Sequence, residues 1–202
     1  MNKLYKPDET LRVSERIYKT GIHGLWYLSH KTHRDERGFF REVAIISELE
    51  SIRYAPFNIK QINHSRSEMH VTRGFHSEAW DKLITVFNGV CFCALADIRP
   101  DSSTFALVET FLLGNGDEAL DGSLFISQGI ANSVCVIQGP IDYMYGVNKL
   151  YKDRDLKRDR AISLFDPDLL VEWPISRDRM VISDRDVNSV TLRQLFPYKF
   201  KS

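Results

Sequence analysis

The stretch from Gln61 to Lys82 reads Gln-Ile-Asn-His-Ser-Arg-Ser-Glu-Met-His-Val-Thr-Arg-Gly-Phe-His-Ser-Glu-Ala-Trp-Asp-Lys and gathers histidine, arginine, lysine and amide groups in one place. Groups of these types converging on a cleft make an anion-binding pocket with titratable side chains inside it. All six histidines, His23, His30, His33, His64, His70 and His76, fall in the first 76 residues. Histidine acid-base chemistry is therefore confined to the N-terminal part, and its partners must come from further along. His64, His70 and His76 recur every six residues, on one face of a straight strand but too far apart to share a metal ion. A metal-binding β-barrel would show a His-x-His pair, a following Glu and a later His; that combination is not in the sequence, and no metal is expected. Cys91, Cys93 and Cys135 include no Cys-x-x-Cys pair. Alternation points Cys91 and Cys93 to one face, and all three read as inert core residues of a reducing compartment. A Cys-x-Cys metal site is the alternative, and it lacks partner ligands.

The elements that must position these groups are mostly strands. Leu83 to Phe87, Asn88-Gly89 and Val90 to Ala96 form two β-rich runs around an Asn-Gly pair, which predicts a hairpin turn. Further short runs at Phe105 to Leu113, Leu124 to Ile126, Ser133 to Ile137 and Ile141 to Val147 are bounded by Gly, Pro, Asn or Asp. This spacing predicts an all-β sandwich or barrel. Ser47 with Glu50 three residues on predicts a capping box that opens one short helix. There is no internal repeat or low-complexity tract, and the mixed-charge run from Leu150 to Arg160 reads as a solvated connection.

Composition limits the function classes. The 202 residues carry 27 Lys plus Arg against 27 Asp plus Glu, so the formal charge is zero and a strongly basic nucleic-acid binder is disfavoured. With 43% hydrophobic and 27% charged residues, the chain is long enough to bury a core without disulfides, and a single domain over 1–202 is expected. The longest uninterrupted apolar stretch, Val90 to Ala96, is far short of the roughly 20 residues that span a bilayer. The N-terminus has neither the apolar core of a signal peptide nor, with Asp8 and Glu9, the character of a transit peptide, so a cytoplasmic location is expected.

The pocket-forming stretch gains specificity from its neighbours. Arg34-Asp35-Glu36-Arg37-Gly38-Phe39-Phe40-Arg41-Glu42 precedes it. Lys82-Leu83-Ile84-Thr85-Val86-Phe87-Asn88-Gly89 and Asp97-Ile98-Arg99-Pro100-Asp101-Ser102-Ser103-Thr104-Phe105 follow it, with Asp166-Pro167, Trp173-Pro174 and Ser183-Asp184-Arg185-Asp186 later. In this order the motifs resemble the dTDP-4-dehydrorhamnose 3,5-epimerase family over roughly residues 20 to 190. The resemblance implies a cupin-type jelly roll, a homodimer, and action on a nucleotide-linked 4-keto-6-deoxy sugar without metal or organic cofactor. It also implies His76 as base, Asp186 as the carboxylate that orients it, Tyr145 as the acid on the opposite face, and Lys82 as the cation beside the enolate. For substrate binding it implies Arg37 and Arg73 on the diphosphate, with Phe40, Glu42, Gln61, Asn63 and Tyr151 near the nucleotide sugar.

Taken singly, each residue has an ordinary structural reading: His76 as a bonded structural histidine, Tyr145 as a barrel-core tyrosine, Asp186 as a solvated acid, Arg37 as a salt-bridge partner of Asp35, Glu36 or Glu42. The functional reading is joint. The chain also departs from the family pattern. Ser127-Gln128-Gly129-Ile130-Ala131-Asn132-Ser133-Val134 carries Asn132 where the pattern has a pocket histidine, and Asn cannot carry a proton in turnover. Cys93 stands where the pattern has a buried Asp, which predicts that Lys82 lacks a carboxylate partner. The segment between His76 and Lys82 is shorter than usual. Two other functions compete: a nucleotide-sugar 3,4-ketoisomerase, which would place a histidine pair in the pocket, and a catalytically silent sugar-binding cupin.

Overall fold

A computed structural model describes residues 3–50, 52 and 56–200 of the chain. Eleven strands are described: β1 Ile17–Lys19, β2 Leu25–Ser29, β3 Lys31–Asp35, β4 Gly38–Glu42, β5 Gln61–Ser67, β6 Thr72–Ser77, β7 Lys82–Asp97, β8 Val108–Gly114, β9 Gly122–Ile126, β10 Ile130–Val147 and β11 Arg160–Ala161. Three short helices accompany them: α1 Ile46–Glu50, α2 Asp184–Val187 and α3 Leu192–Leu195. Described strands are antiparallel throughout, and β3 and β4 form a separate two-stranded hairpin. This is an all-β jelly-roll architecture.

The long strands β7 and β10 pair with each other along nearly their whole length and belong to both walls of the barrel. The first half of β7 and the second half of β10 join β9, β2, β1 and β5; the other halves join β8, β6 and β11. The predicted Asn88-Gly89 hairpin does not form, because β7 runs straight through it. Gly89 instead has φ +73 and makes a bulge, and a Cβ there would lie 2.5 Å from the Gln138 carbonyl oxygen. The bulge inverts the alternation. Ile84 and Val86 face the interior before it; Cys91, Cys93 and Leu95 face it afterwards. Opposite, β10 makes the same inversion around Gly139 and Pro140, from Ile130, Val134 and Val136 to Ile141 and Tyr143. The strand runs at Ser133 to Ile137 and Ile141 to Val147 are thus two halves of one strand.

Three apolar clusters hold the barrel. One fills the interior. The second seats Ile162, Leu164, Leu169, Leu192 and Trp173 of the C-terminal segment on the outer side of Phe75, Phe92 and Ala94. The third packs α1 through Leu49 and Ile46 against Leu83 and Phe125. Burial of Leu49 and Ile46 sets the phase of α1, so Ser47 lies inside the helix and does not cap it as predicted. The run at Phe105 becomes strand only at Val108, because Asp97 collects the preceding loop: it accepts from Ser102 Oγ and Thr104 Oγ1, each at 2.6 Å, and pairs with Arg99. The Asp-x-Arg-x-x-Ser-x-Thr motif is therefore a loop-building device. All three cysteines are buried and free, and burial raises the Cys135 thiol, as expected of inert core residues. Among the described residues no group of three metal-ligating side chains converges, and no helix is long and apolar enough to cross a membrane.

Candidate active site

A cavity of about 200 Å³ opens between the two walls where the long strands bend. It is lined by Ser65 and Ser67 of β5, Arg73 and His76 of β6, Glu78 and Lys82 at the next turn, and Asn132, Val134, Ile141, Tyr143 and Tyr145 of β10. This is the place where the interior alternation of strands that otherwise bury apolar residues turns polar.

His76 is held from outside the barrel. Ser183 caps α2 by accepting from the Asp186 backbone N–H, and the short helix presents the Asp186 carboxylate inward. Asp186 Oδ1 lies 2.6 Å from His76 Nε2, and its Oδ2 accepts from the Gly74 N–H at 3.2 Å. Burial alone would raise the Asp186 carboxyl; the His76 hydrogen bond and charge outweigh it and hold the group below the usual carboxylate range. With Nε2 committed to the carboxylate, Nδ1 is the ring nitrogen that remains free of that bond. Gly74 lets β6 lie close against β10: it has φ +118, and a Cβ there would sit 2.7 Å from the Asn132 carbonyl oxygen.

Lys82, at the start of β7 and 5% exposed, reaches across to the other wall, where its Nζ donates to Asn132 Oδ1 at 2.5 Å. It also forms an ion pair with Glu78. The expectation that Lys82 lacks a carboxylate partner is thus corrected: Cys93 packs in the apolar interior, and the carboxylate comes from Glu78 instead. Burial pushes the Glu78 carboxyl up, but Lys82 beside it wins and holds it low. Arg73 donates from Nε to Ser67 Oγ at 3.0 Å.

Tyr143 and Tyr145 stand side by side, ring centroids 6.0 Å apart, on the same face of β10. Burial, and then the Glu78 carboxylate, push the Tyr145 phenol up, which keeps it protonated. The Tyr143 hydroxyl is shut off from solvent without a hydrogen-bond partner among the described residues, whereas Tyr145 is half-buried at the cavity. Gln61 and Asn63 continue the face of β5 that carries Ser65 and Ser67, beyond the cavity lining. Gln61 donates to Asn63 Oδ1 at 2.6 Å and accepts from the Tyr151 N–H at 2.8 Å, and Asn63 Nδ2 is buried without a partner. Tyr151 is exposed, with the Arg154 guanidinium 4.1 Å above its ring.

Besides Gln61, Asn63 and Tyr151, three more residues expected near the substrate do not line this cavity. Arg37 pairs with Asp35 at 2.5 Å on the β3–β4 hairpin, Phe40 on the same hairpin is 66% exposed, and Glu42 lies 3.5 Å from Arg16. Glu78, Ser65 and Ser67 line the cavity without having been singled out in the sequence. Glu78 had one signal: it stands two residues after His76, so alternation places it on the same face. The connection after Leu150 is mostly exposed, as its charges imply, with one acid tucked in. Asp159, with a side chain 10% exposed, pairs with Arg154 at 3.2 Å, and burial raises its carboxyl.

Comparison with known proteins identifies the family. The family model described as dTDP-4-dehydrorhamnose 3,5-epimerase matches residues 19–194. The dTDP-4-dehydrorhamnose 3,5-epimerase of Escherichia coli (strain K12) is 29% identical over 187 residues, covering 91% of this chain and 97% of its own. NovW, a 4-keto-6-deoxy sugar epimerase from the novobiocin biosynthetic gene cluster of Streptomyces spheroides, superposes with a TM-score of 0.81 at 25% identity, over 96% of this chain and 94% of that one. The dTDP-6-deoxy-D-glucose-3,5-epimerase of Legionella pneumophila Philadelphia 1, solved in complex with dTDP-4-keto-L-rhamnose, gives 0.79 at 26% identity, over 92% and 98%. With a family model matching most of its length and a shared jelly roll, the chain belongs to the dTDP-4-dehydrorhamnose 3,5-epimerase family.

Proposed function

We propose that the protein is a nucleotide-sugar epimerase that inverts carbon 3, carbon 5 or both of a dTDP-linked 4-keto-6-deoxy sugar, in deoxysugar biosynthesis for a surface polysaccharide in the cytoplasm. The observation that carries this reading is the His76–Asp186 pair at 2.6 Å, opening on a cavity that also holds a buried lysine and a protonated tyrosine. The C4 ketone acidifies the protons on its neighbouring carbons, so the reaction needs a base, a donor on the other face and a cation for the enolate oxygen.

His76, on β6, removes the proton; Asp186 fixes the tautomer and stabilises the imidazolium that forms. Lys82 neutralises charge developing on the C4 oxygen. Tyr145 stands on the half of β10 that pairs with β5, the opposite wall from β6, and delivers a proton to the other face. Arg73, beside Ser67 on the cavity wall, takes the diphosphate, with Gln61, Asn63 and Tyr151 continuing the binding surface outward. Arg37, Phe40 and Glu42, which do not line the cavity, act in this reading from the second copy of a homodimer. Asn132 holds Lys82 and carries no proton. A 3,4-ketoisomerase would want a second cavity histidine, and His76 is the one that lines it.

The test is incubation with dTDP-4-keto-6-deoxyglucose in deuterated water, followed by NMR at carbons 3 and 5. Deuterium entering with inversion at either carbon is the expected result. Carbonyl migration to carbon 3 would make the protein a ketoisomerase, and no exchange at either position would leave it a binding protein.

A further inference from the structure

Glu78 occupies a position that the reaction as described above does not use. β6 ends at Ser77 and β7 begins at Lys82, so residues 78–81 form a short turn between two strands that both bear cavity residues. The turn is fixed. Asp81 accepts from the Gln128 N–H and from Asn148 Nδ2, each at 2.9 Å, its own N–H donates to Asn148 Oδ1 at 3.0 Å, and Lys149 Nζ donates to the Ala79 carbonyl at 2.6 Å. Within this frame the Glu78 carboxylate meets Lys82 as a contact ion pair, the two side chains 17% and 7% exposed. Among the described residues Lys82 has one other hydrogen-bond partner, the neutral amide of Asn132.

A buried ammonium without a counter-charge is costly and sheds its proton, and a neutral amine offers no charge to an enolate. We propose that Glu78 is the positioning residue for Lys82, keeping the ammonium charged and aimed into the cavity where the enolate oxygen forms. The role of Lys82 rests on the epimerase reading; the pairing does not. The groups that face Glu78 come from every neighbouring element: Lys82 from β7, His76 from β6, Arg185 from α2, Tyr143 and Tyr145 from β10, and Asp159 from the connection before β11. The cations among them keep Glu78 ionised, so it serves as an anion and not as a second base.

The experiment labels the chain with 13C at lysine Cε and glutamate Cδ and titrates the free protein. In Glu78→Gln the Lys82 Cε signal moves at lower pH than in wild type, because the charge that favoured the ammonium is gone. Glu78→Asp restores the wild-type midpoint. The reciprocal Lys82→Met raises the pH at which Glu78 Cδ titrates, and decides the matter if Glu78→Gln does not fold. Unmoved midpoints overturn the proposal. In turnover, Glu78→Gln loses about 100-fold in kcat, as expected of a misplaced catalytic group, with its alkaline limb shifted down and KM little changed. A wild-type protein without turnover counts against the epimerase reading alone, since the titrations need no substrate.

Discussion

At the scale of the residue, the site is a set of charges placed so that each fixes the next. Asp186 fixes His76, so Asp186→Asn, which keeps shape and removes charge, should lower kcat at least about 100-fold while KM changes little. The same substitution reads out on stability. Because the Asp186 carboxyl is held below its usual value in the fold, it stabilises the native state above the unfolded carboxylate value of about 3.9, and that contribution is lost as pH falls through the lower folded value. The Tm gap between wild type and Asp186→Asn should thus be widest near neutral pH and close in acid. Tyr145→Phe should separate two events: His76 still removes a proton and returns a solvent deuteron to the same face, so exchange continues while inversion stops. Tyr143→Phe, whose hydroxyl is sealed from solvent, should leave inversion intact. Inversion failing only in Tyr143→Phe would transfer the donor role by two residues. The residues of this set were legible because each stands at a fixed place in an ordered run of motifs; Glu78 was not, since it becomes informative only when its turn brings it to Lys82.

At the scale of the element, the bend in β7 and β10 decides which side chains see the cavity. Lys82 lies before the inversion on β7 and Cys93 after it, while Asn132 lies before the inversion on β10 and Tyr145 after it. Gly89→Ala puts a methyl against the Gln138 carbonyl in a left-handed backbone, so it should cost about 1–3 kcal/mol in urea unfolding and reduce turnover as the halves shift register. The sequence identifies these strands and their faces by alternation, yet it misreads the Asn-Gly pair. A bulge and a hairpin ask the same thing of a glycine, a positive φ, and only pairing with a distant strand separates them. The C-terminal motifs were equally opaque: Asp166 accepts from the Leu192 N–H, and Trp173 Nε1 donates to the Leu164 carbonyl, so both build the segment that carries Asp186 to His76.

At the scale of the whole molecule, the β3–β4 hairpin raises the question of a second copy. Its Phe39 and Phe40 are 57% and 66% exposed, and Arg37 points to no cavity residue of its own chain. If a partner's cavity is where the hairpin acts, Arg37→Ala and His76→Ala should each be inactive alone, and mixing the two after dissociation and reassembly should recover part of the activity. Light scattering should report a dimer, and a monomer that turns over at full rate would refute the arrangement. The two walls, meanwhile, share their central strands. Among the described residues no hinge separates the wall that carries His76 from the one that carries Tyr145, because β7 and β10 run unbroken through both. Amide protons of Asn132 and Tyr145 should consequently exchange with solvent only through global opening, with the same free energy and the same urea dependence. An enzyme built this way loses its activity and its fold in one transition, and substrate binding should slow exchange at both ends of β10 equally.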